Sequence, residues 1–261
     1  MRVFDRYSFR LFRVWQRNMI VYMQSWQIRS LPPLLEPIFY LVAFGIGLGS
    51  LVGGVRYSGE EISYPHFIAP ALIAITVMNN AFFENSYASF VRMYYQKTFD
   101  AMMTTPLTVQ EIIAGEILWG ATKALIATAI MMAAISIFGL ISFPEGLLLL
   151  PLAFLGGMAF GGAGMIFTAL VANIEIFNLP IFLFITPMFL FGGTFFPLEN
   201  LPGWAQITAV FLPLTHLVNL SRAFALGRFN AAIITGIVYL VLFVVATFPT
   251  AIYLMRRRLI K

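Results

Sequence analysis

The sequence predicts an all-α polytopic membrane protein. It should have six transmembrane helices, an N-terminal amphipathic interfacial helix, a short cytoplasmic helix between spans 2 and 3, and re-entrant extracytoplasmic helices before span 6. Three observations carry this. Of the 261 residues, 60% are hydrophobic and 10% are charged, against about 25% charged in soluble domains, and the mean hydropathy is +0.88. Four runs long enough to cross a bilayer hold no Asp, Glu, Lys or Arg: 64–83, 147–172, 176–196 and 231–255. Two others are almost as apolar, 34–52 with Glu36 near its start and 112–140 with Glu116 and Lys123 inside it. The whole chain, 1–261, then forms one transmembrane domain.

Residues 1–30 come first. Arg2, Arg6, Arg10, Arg13 and Arg17 recur every three or four positions, and at about 100° per residue they share one arc of about 80°. Phe4, Leu11, Val14 and Trp15 lie away from that arc. This pattern predicts a helix in the headgroup layer, its arginines towards anionic lipid, with Pro32 and Pro33 turning the chain into the first span. Arginines interrupt the segment too often for a cleavable signal peptide. The interleaved aromatics and the adjoining span favour lipid over nucleic acid as its partner.

Six spans put both termini on one side. Twelve Lys and Arg residues, from the N-terminal segment, the stretch around Arg92 and Lys97, and the tail Arg256 to Lys261, fall on that side, and only Arg56, Arg222 and Arg228 fall on the other. By the positive-inside rule the termini and the insert after span 2 are cytoplasmic.

The insert runs from Lys97 to Glu111, and its candidate docking residues are Thr98, Phe99, Asp100, Met102, Met103, Thr104, Thr105, Pro106 and Leu107. Thr98 is expected to cap a short helix with Asp100 in its first turn, where the helix dipole favours negative charge. Pro106 should end it, and Thr108 with Glu111 has the spacing of a capping box that opens the next helix. Phe99, Met102 and Met103 would offer adaptable apolar surface to a soluble partner's groove. A solvated connector on the headgroups fits the same pattern.

Residues 197–230 are too apolar for a solvated loop. Leu201, Pro202, Gly203 and Trp204 read as a turn with an interfacial anchor, and Thr215 to Leu226 as a short helix stopped by Gly227, so the segment is expected to dip back into the bilayer, as an outer lid or as a structural cap. Polar groups inside spans mark a candidate path: Asn79 and Asn80 at the end of span 2, with Glu84 just beyond. Glu116 and Lys123, seven residues apart near one helix face, are read as a buried charge pair. Small-residue ladders at Gly45, Gly49, Gly53 and at Ala153, Gly157, Gly161 suit close helix packing.

The chain has no cysteine, and His66 and His216 stand alone, so no metal site is expected. No G-x-x-x-x-G-K-[ST] pattern occurs and no soluble stretch is large enough for a nucleotide domain. The sequence therefore predicts no enzyme and no cofactor on this chain, with any ATP and Mg held by another.

Two motifs carry a family resemblance. KTFDAMMTTPLTVQEIIAGE resembles the coupling helix and following span of ABC type-2 exporter permeases, and FFPLENLPGWAQITAVFLPLTHLVNLSRAF resembles that family's signature before the last span. FVRMYYQKTFDAMMTTPLTVQEIIAGEILWGATKA and ITPMFLFGGTFFPLENLP are especially similar to the nodulation-type lipo-oligosaccharide exporter branch. The resemblance covers nearly the whole chain. It implies two permease copies, as a homodimer, with two copies of an ABC ATPase subunit, in a bacterial inner membrane. Residues 98–107 would be the coupling helix, with Phe99 to Leu107 in a groove of the ATPase. Spans 1 and 5 would bound the route of an amphipathic substrate, for which Phe182, Phe184, Phe189 and Phe191 offer an aromatic wall. The implied activity is export of a lipid-linked or amphipathic glycan; a hydrophobic-drug exporter permease and a non-transporting membrane scaffold are the alternatives.

Overall fold

The computed structural model describes residues 9–40, 42–43, 47, 54–57 and 59–260. Helix α1 (Leu11–Met23) buries Val14, Asn18 and Tyr22, which the four-residue spacing places on one face. Arg10 and Arg13 stay exposed; Arg2, Phe4 and Arg6 lie outside the described residues. The chain breaks at Gln24 and Ser25, not at the prolines, and α2 (Trp26–Tyr40) runs through Pro32 and Pro33. Each proline removes only its own backbone donor, a loss that helices of membrane proteins tolerate. Most of 34–52 beyond Tyr40, with the ladder Gly45, Gly49 and Gly53, lies outside the described residues.

An antiparallel hairpin follows, which corrects the all-α expectation. Strands β1 (Gly54–Tyr57) and β2 (Glu60–Ser63) pair with Tyr57 opposite Glu60. Gly59 takes φ +85°, a conformation that glycine adopts without steric cost.

Among the described residues, five helices are long and apolar enough to cross a membrane: α3 (Tyr64–Tyr95), α5 (Val109–Ser136), α6 (Glu145–Leu170), α7 (Ile174–Phe191) and α10 (Ala232–Leu259). Between α3 and α5 sits α4 (Thr98–Met103). Between α7 and α10 sit α8 (Gly203–Val210) and α9 (Pro213–Ala225), bent by 84° to one another. Helix α3 outruns the apolar run 64–83 by a further turn and more. It continues through two π-helical stretches, Glu84–Ala88 and Val91–Tyr95; the charges of Glu84 and Arg92 end the hydropathy signal without ending the helix, because the fold neutralises them internally.

Helices α3, α5 and α6 pack together, with α10 on α6 and α9 on α3. The ladder on α6 works within this chain. A Cβ on Gly157 would lie 2.6 Å from the Cα of Ala121 on α5, closer than any side chain tolerates, so these two backbones meet because position 157 has none. Two apolar clusters result. The larger joins α3, α5, α6 and α9; the smaller gathers Val14, Phe90, Ile113, Met165 and Ile252 around the end of the bundle that carries α4.

Candidate functional site

The insert after α3 is a turn, one and a half turns of helix, and a second turn. Lys97 adopts the left-handed conformation, φ 53°, and reverses the chain after Tyr95. Helix α4 then runs for six residues. Thr98 is inside it and does not cap it, since the preceding residue is Lys97 and no side-chain capping bond forms. Asp100 is in the first turn as expected, exposed, and 3.9 Å from Lys97. After Met103 the hydroxyls of Thr104 and Thr105 donate to the carbonyls of Ala101 and Met102 at 2.8 and 2.6 Å, closing the helix before Pro106. The Thr108–Glu111 capping box is present in both directions and starts α5.

The apolar residues of α4 face the other way from expectation. Phe99 is 0% exposed and packs in the smaller cluster, while Met102 and Met103 are half-buried against it. A helix of six residues shows one narrow outer face, and the ring gains more by burial than by display. What points outward is Asp100, Ala101, Thr104, Thr105 and Pro106. Arg10 of α1 donates to the carbonyl of Pro106 at 2.9 Å, tying the turn to the N-terminal helix. Beside it, Met103, Leu107, Thr108, Gln110, Arg256 and Ile260 line a cavity of about 390 Å³.

One layer further in, the charges form a chain. Lys123 Nζ meets Glu84 at 2.8 Å, Arg92 meets Glu84 at 2.7 Å, and Arg92 meets Glu116 at 2.6 Å. Trp119 donates to Glu84 at 3.0 Å. Ser89 and, from α1, Asn18 each donate to Glu116 at 2.8 Å. Glu116 and Lys123 are therefore not a pair with each other. Seven residues on one helix stand about 10 Å apart along its axis, whereas helix neighbours that touch are three or four apart; each finds its partner on α3 instead. The π-helical stretches lie at this place in α3, and such widenings inside helices often occur at functional sites. Ser89, Trp119 and Asn18 are absent from the sequence reading, and Arg92 enters it only as a cytoplasmic charge. The signal for them was the isolation of Glu116, an ionisable group in an apolar helix without an opposite charge at three or four positions.

The remaining candidates are scattered. Phe184 is half-buried against Phe82 and Phe167 at ring distances of 6.0 and 5.6 Å, Phe189 packs on Phe195 at 5.0 Å, and Phe191 meets Trp204 at 5.5 Å. Phe182 is 69% exposed on the outside of α7. The four do not form one wall, because positions 182 and 189 fall near one face of a helix and 184 and 191 near the opposite one. Asn79 and Asn80 are half-buried, and Asn80 donates to the carbonyl of Thr76 at 2.9 Å. His216 stacks on Tyr239 at 3.9 Å and contacts the carbonyl of Val210. Among the described residues no group of three or more His, Cys, Asp or Glu is placed to hold a metal ion.

A bundle of apolar helices joined by a short, anchored insert defines a class, and the comparisons place the chain in it. It belongs to the ABC-2 type transporter family, whose model matches residues 10–226, and it is an integral membrane transport permease. The chain is similar to nodulation protein J of Rhizobium leguminosarum bv. viciae, 37% identical over 248 residues, 95% of this chain and 94% of that protein. Nodulation protein J of Rhizobium meliloti (strain 1021) is 35% identical over 94% of this chain and 92% of its own length. The inner membrane transport permease YadH of Escherichia coli (strain K12) is 26% identical over 89% of both. No solved structure matches.

Proposed function

We propose that this chain is the permease subunit of an ATP-driven exporter in a bacterial inner membrane, with both termini cytoplasmic and the ATP and Mg on a separate ABC ATPase. It acts as a homodimer with two ATPase copies, and its cargo is a lipid-linked or amphipathic glycan. The observation that carries this reading is the insert. Phe99 roots α4 in a cluster drawn from α1, α3, α5, α6, α7 and α10, and Arg10 holds the following turn, so a push on the outer residues reaches the cluster as a rigid displacement. The charge chain behind it links the same ends of α1, α3 and α5. The apolar outer faces of α7 and α10, with Leu183, Leu190, Val241, Leu242 and Val245 exposed, are suited to lipid and to the second permease copy.

The burial of Phe99 decides which substitutions test the reading. Asp100→Lys with Thr104→Lys changes only the outer face, whereas an acid at position 99 would break the cluster. Co-purified with a candidate ABC ATPase subunit, the double variant should keep its elution profile and lose association and stimulated ATP hydrolysis by about tenfold or more, the factor for 1.4 kcal/mol. Unchanged association and hydrolysis would remove the coupling role. For cargo, cells lacking the gene should retain an amphipathic glycan that the wild type carries to its surface, as read by comparing extracted and surface glycolipids.

A further inference from the structure

At the far end of the bundle from α4, the hairpin, α9 and α10 enclose a cavity of about 310 Å³, at the lower end of the range for small-molecule sites. Its wall holds Tyr57, Glu199, His216, Asn219, Arg222 and Arg228. Arg222 is 2% exposed and forms no ion pair among the described residues. Its Nε donates to the carbonyl of Phe67 at 3.0 Å, and its Nη2 to the carbonyls of Gly193 and Thr194 at 2.7 and 3.0 Å. The guanidinium lies over the ring of Phe67 at 3.7 Å. Three of the five N–H groups of an arginine are thus used. The two on Nη1 donate to nothing among the described residues. A purely structural tie for the turn at Gly193 explains three donors and leaves these.

The rest of the wall says what would take them. Glu199, at the mouth, would repel a bare oxyanion, and Arg222 with Arg228 would repel a cation. Asn219 is exposed and offers both a donor and an acceptor. Burial pushes the Tyr57 hydroxyl up, so it stays protonated at neutral pH. Mixed donors and acceptors beside aromatic rings match a group whose every hydroxyl both donates and accepts. One helical turn along α10, Tyr239 donates to the carbonyl of Phe211, and α8 beyond it exposes Trp204, Ile207 and Val210, with Phe211 exposed just after its end. A polar cavity therefore adjoins an apolar face.

We infer that this cavity is a subsite for the polyhydroxyl head of the exported amphipath. Arg222 Nη1, Asn219 and Arg228 donate to it, and Glu199 accepts from it. This rests on the exporter reading and adds where the head of the cargo is held.

Full-length protein in phosphatidylcholine nanodiscs tests it by saturation-transfer NMR. The probes are maltotriose, cellotriose and triacetylchitotriose, with inorganic phosphate as the competing chemistry. At least one trisaccharide should show contact, lost in Asn219→Leu and weakened about tenfold in Glu199→Gln, the factor for a hydrogen bond to a charged group. Both positions are exposed, so neither variant threatens the fold. No contact with any of the three, contact unchanged in both variants, or phosphate binding in their place overturns the subsite. ATP hydrolysis by the ATPase complex in the same discs separates the two readings: coupling kept without sugar contact sinks the subsite alone, and coupling absent sinks the exporter reading.

Discussion

Arg92, half-buried, and Arg222, buried, are both cations in apolar helices, and they are stabilised in opposite ways. Arg92 sits between Glu84 and Glu116 in a chain of alternating charges that Lys123 completes. Arg222 pairs with no carboxylate among the described residues; carbonyls and a phenyl face hold it. A compensated network is costly to desolvate, yet each member then depends on the others, and removing one strands its neighbours. A lone cation held by dipoles strands only those dipoles, and it keeps donors for something else. The charges at the end of the bundle near the insert therefore depend on one another, whereas the cation at the end near the hairpin leaves donors unspent.

The largest effect should come from breaking the network. Arg92→Met leaves Glu84 and Glu116 buried without their shared cation and should cost about 3–5 kcal/mol, read as a fall in thermal unfolding temperature of the detergent-solubilised protein. Adding Glu116→Gln to Arg92→Met should recover part of that loss, because it removes one stranded charge. If Arg92→Met alone were silent, water would already be compensating these charges, and the contrast with Arg222 would disappear.

Arg222→Met should cost less, about 1–3 kcal/mol for each buried carbonyl left unsatisfied and not re-solvated. Removing a carboxylate should bring no recovery: Glu199→Gln added to Arg222→Met leaves the loss unchanged in the same unfolding measurement. A recovery as large as that of Glu116→Gln would mean that Arg222 is ion-paired after all.

The parts of this contrast differed in legibility for a physical reason. The Thr108–Glu111 capping box is local, three residues apart, and it formed as read. The spans 147–172 and 231–255 announced themselves through uncharged runs, and helices occupy both. Glu84 and Arg92, by contrast, look to hydropathy like the end of a span because they pair with each other across eight residues of α3 and with Lys123 and Glu116 on α5, which no local spacing records. The direction of Phe99 was equally hidden. On six residues flanked by turns, Phe99, Met102 and Met103 suit an inner or an outer face, and only the cluster around Phe90 and Ile113 decides. The hairpin was signalled by Ser and Gly at 58–59 between Val55 and Ile62, but a hydropathy reading passes over strands of four residues.

The smallest effect belongs to the third kind of cation. Arg228 pairs with Glu60 at 2.6 Å, but the glutamate side chain is 71% exposed, so both charges keep much of their hydration and the pair gains little over the separated ions. A double-mutant cycle of Arg228→Ala and Glu60→Ala, read by unfolding, should give a coupling below about 1 kcal/mol. It should shrink further between low salt and about 1 M, where the screening length falls to about 3 Å. The comparison with Arg92 gives this small number its use. The same bond length yields strong dependence inside the bundle and weak dependence at the hairpin, so distance alone does not rank these contacts. A coupling of several kcal/mol, insensitive to salt, would show that the hairpin is clamped dry over the cavity and does not leave its mouth open to a sugar.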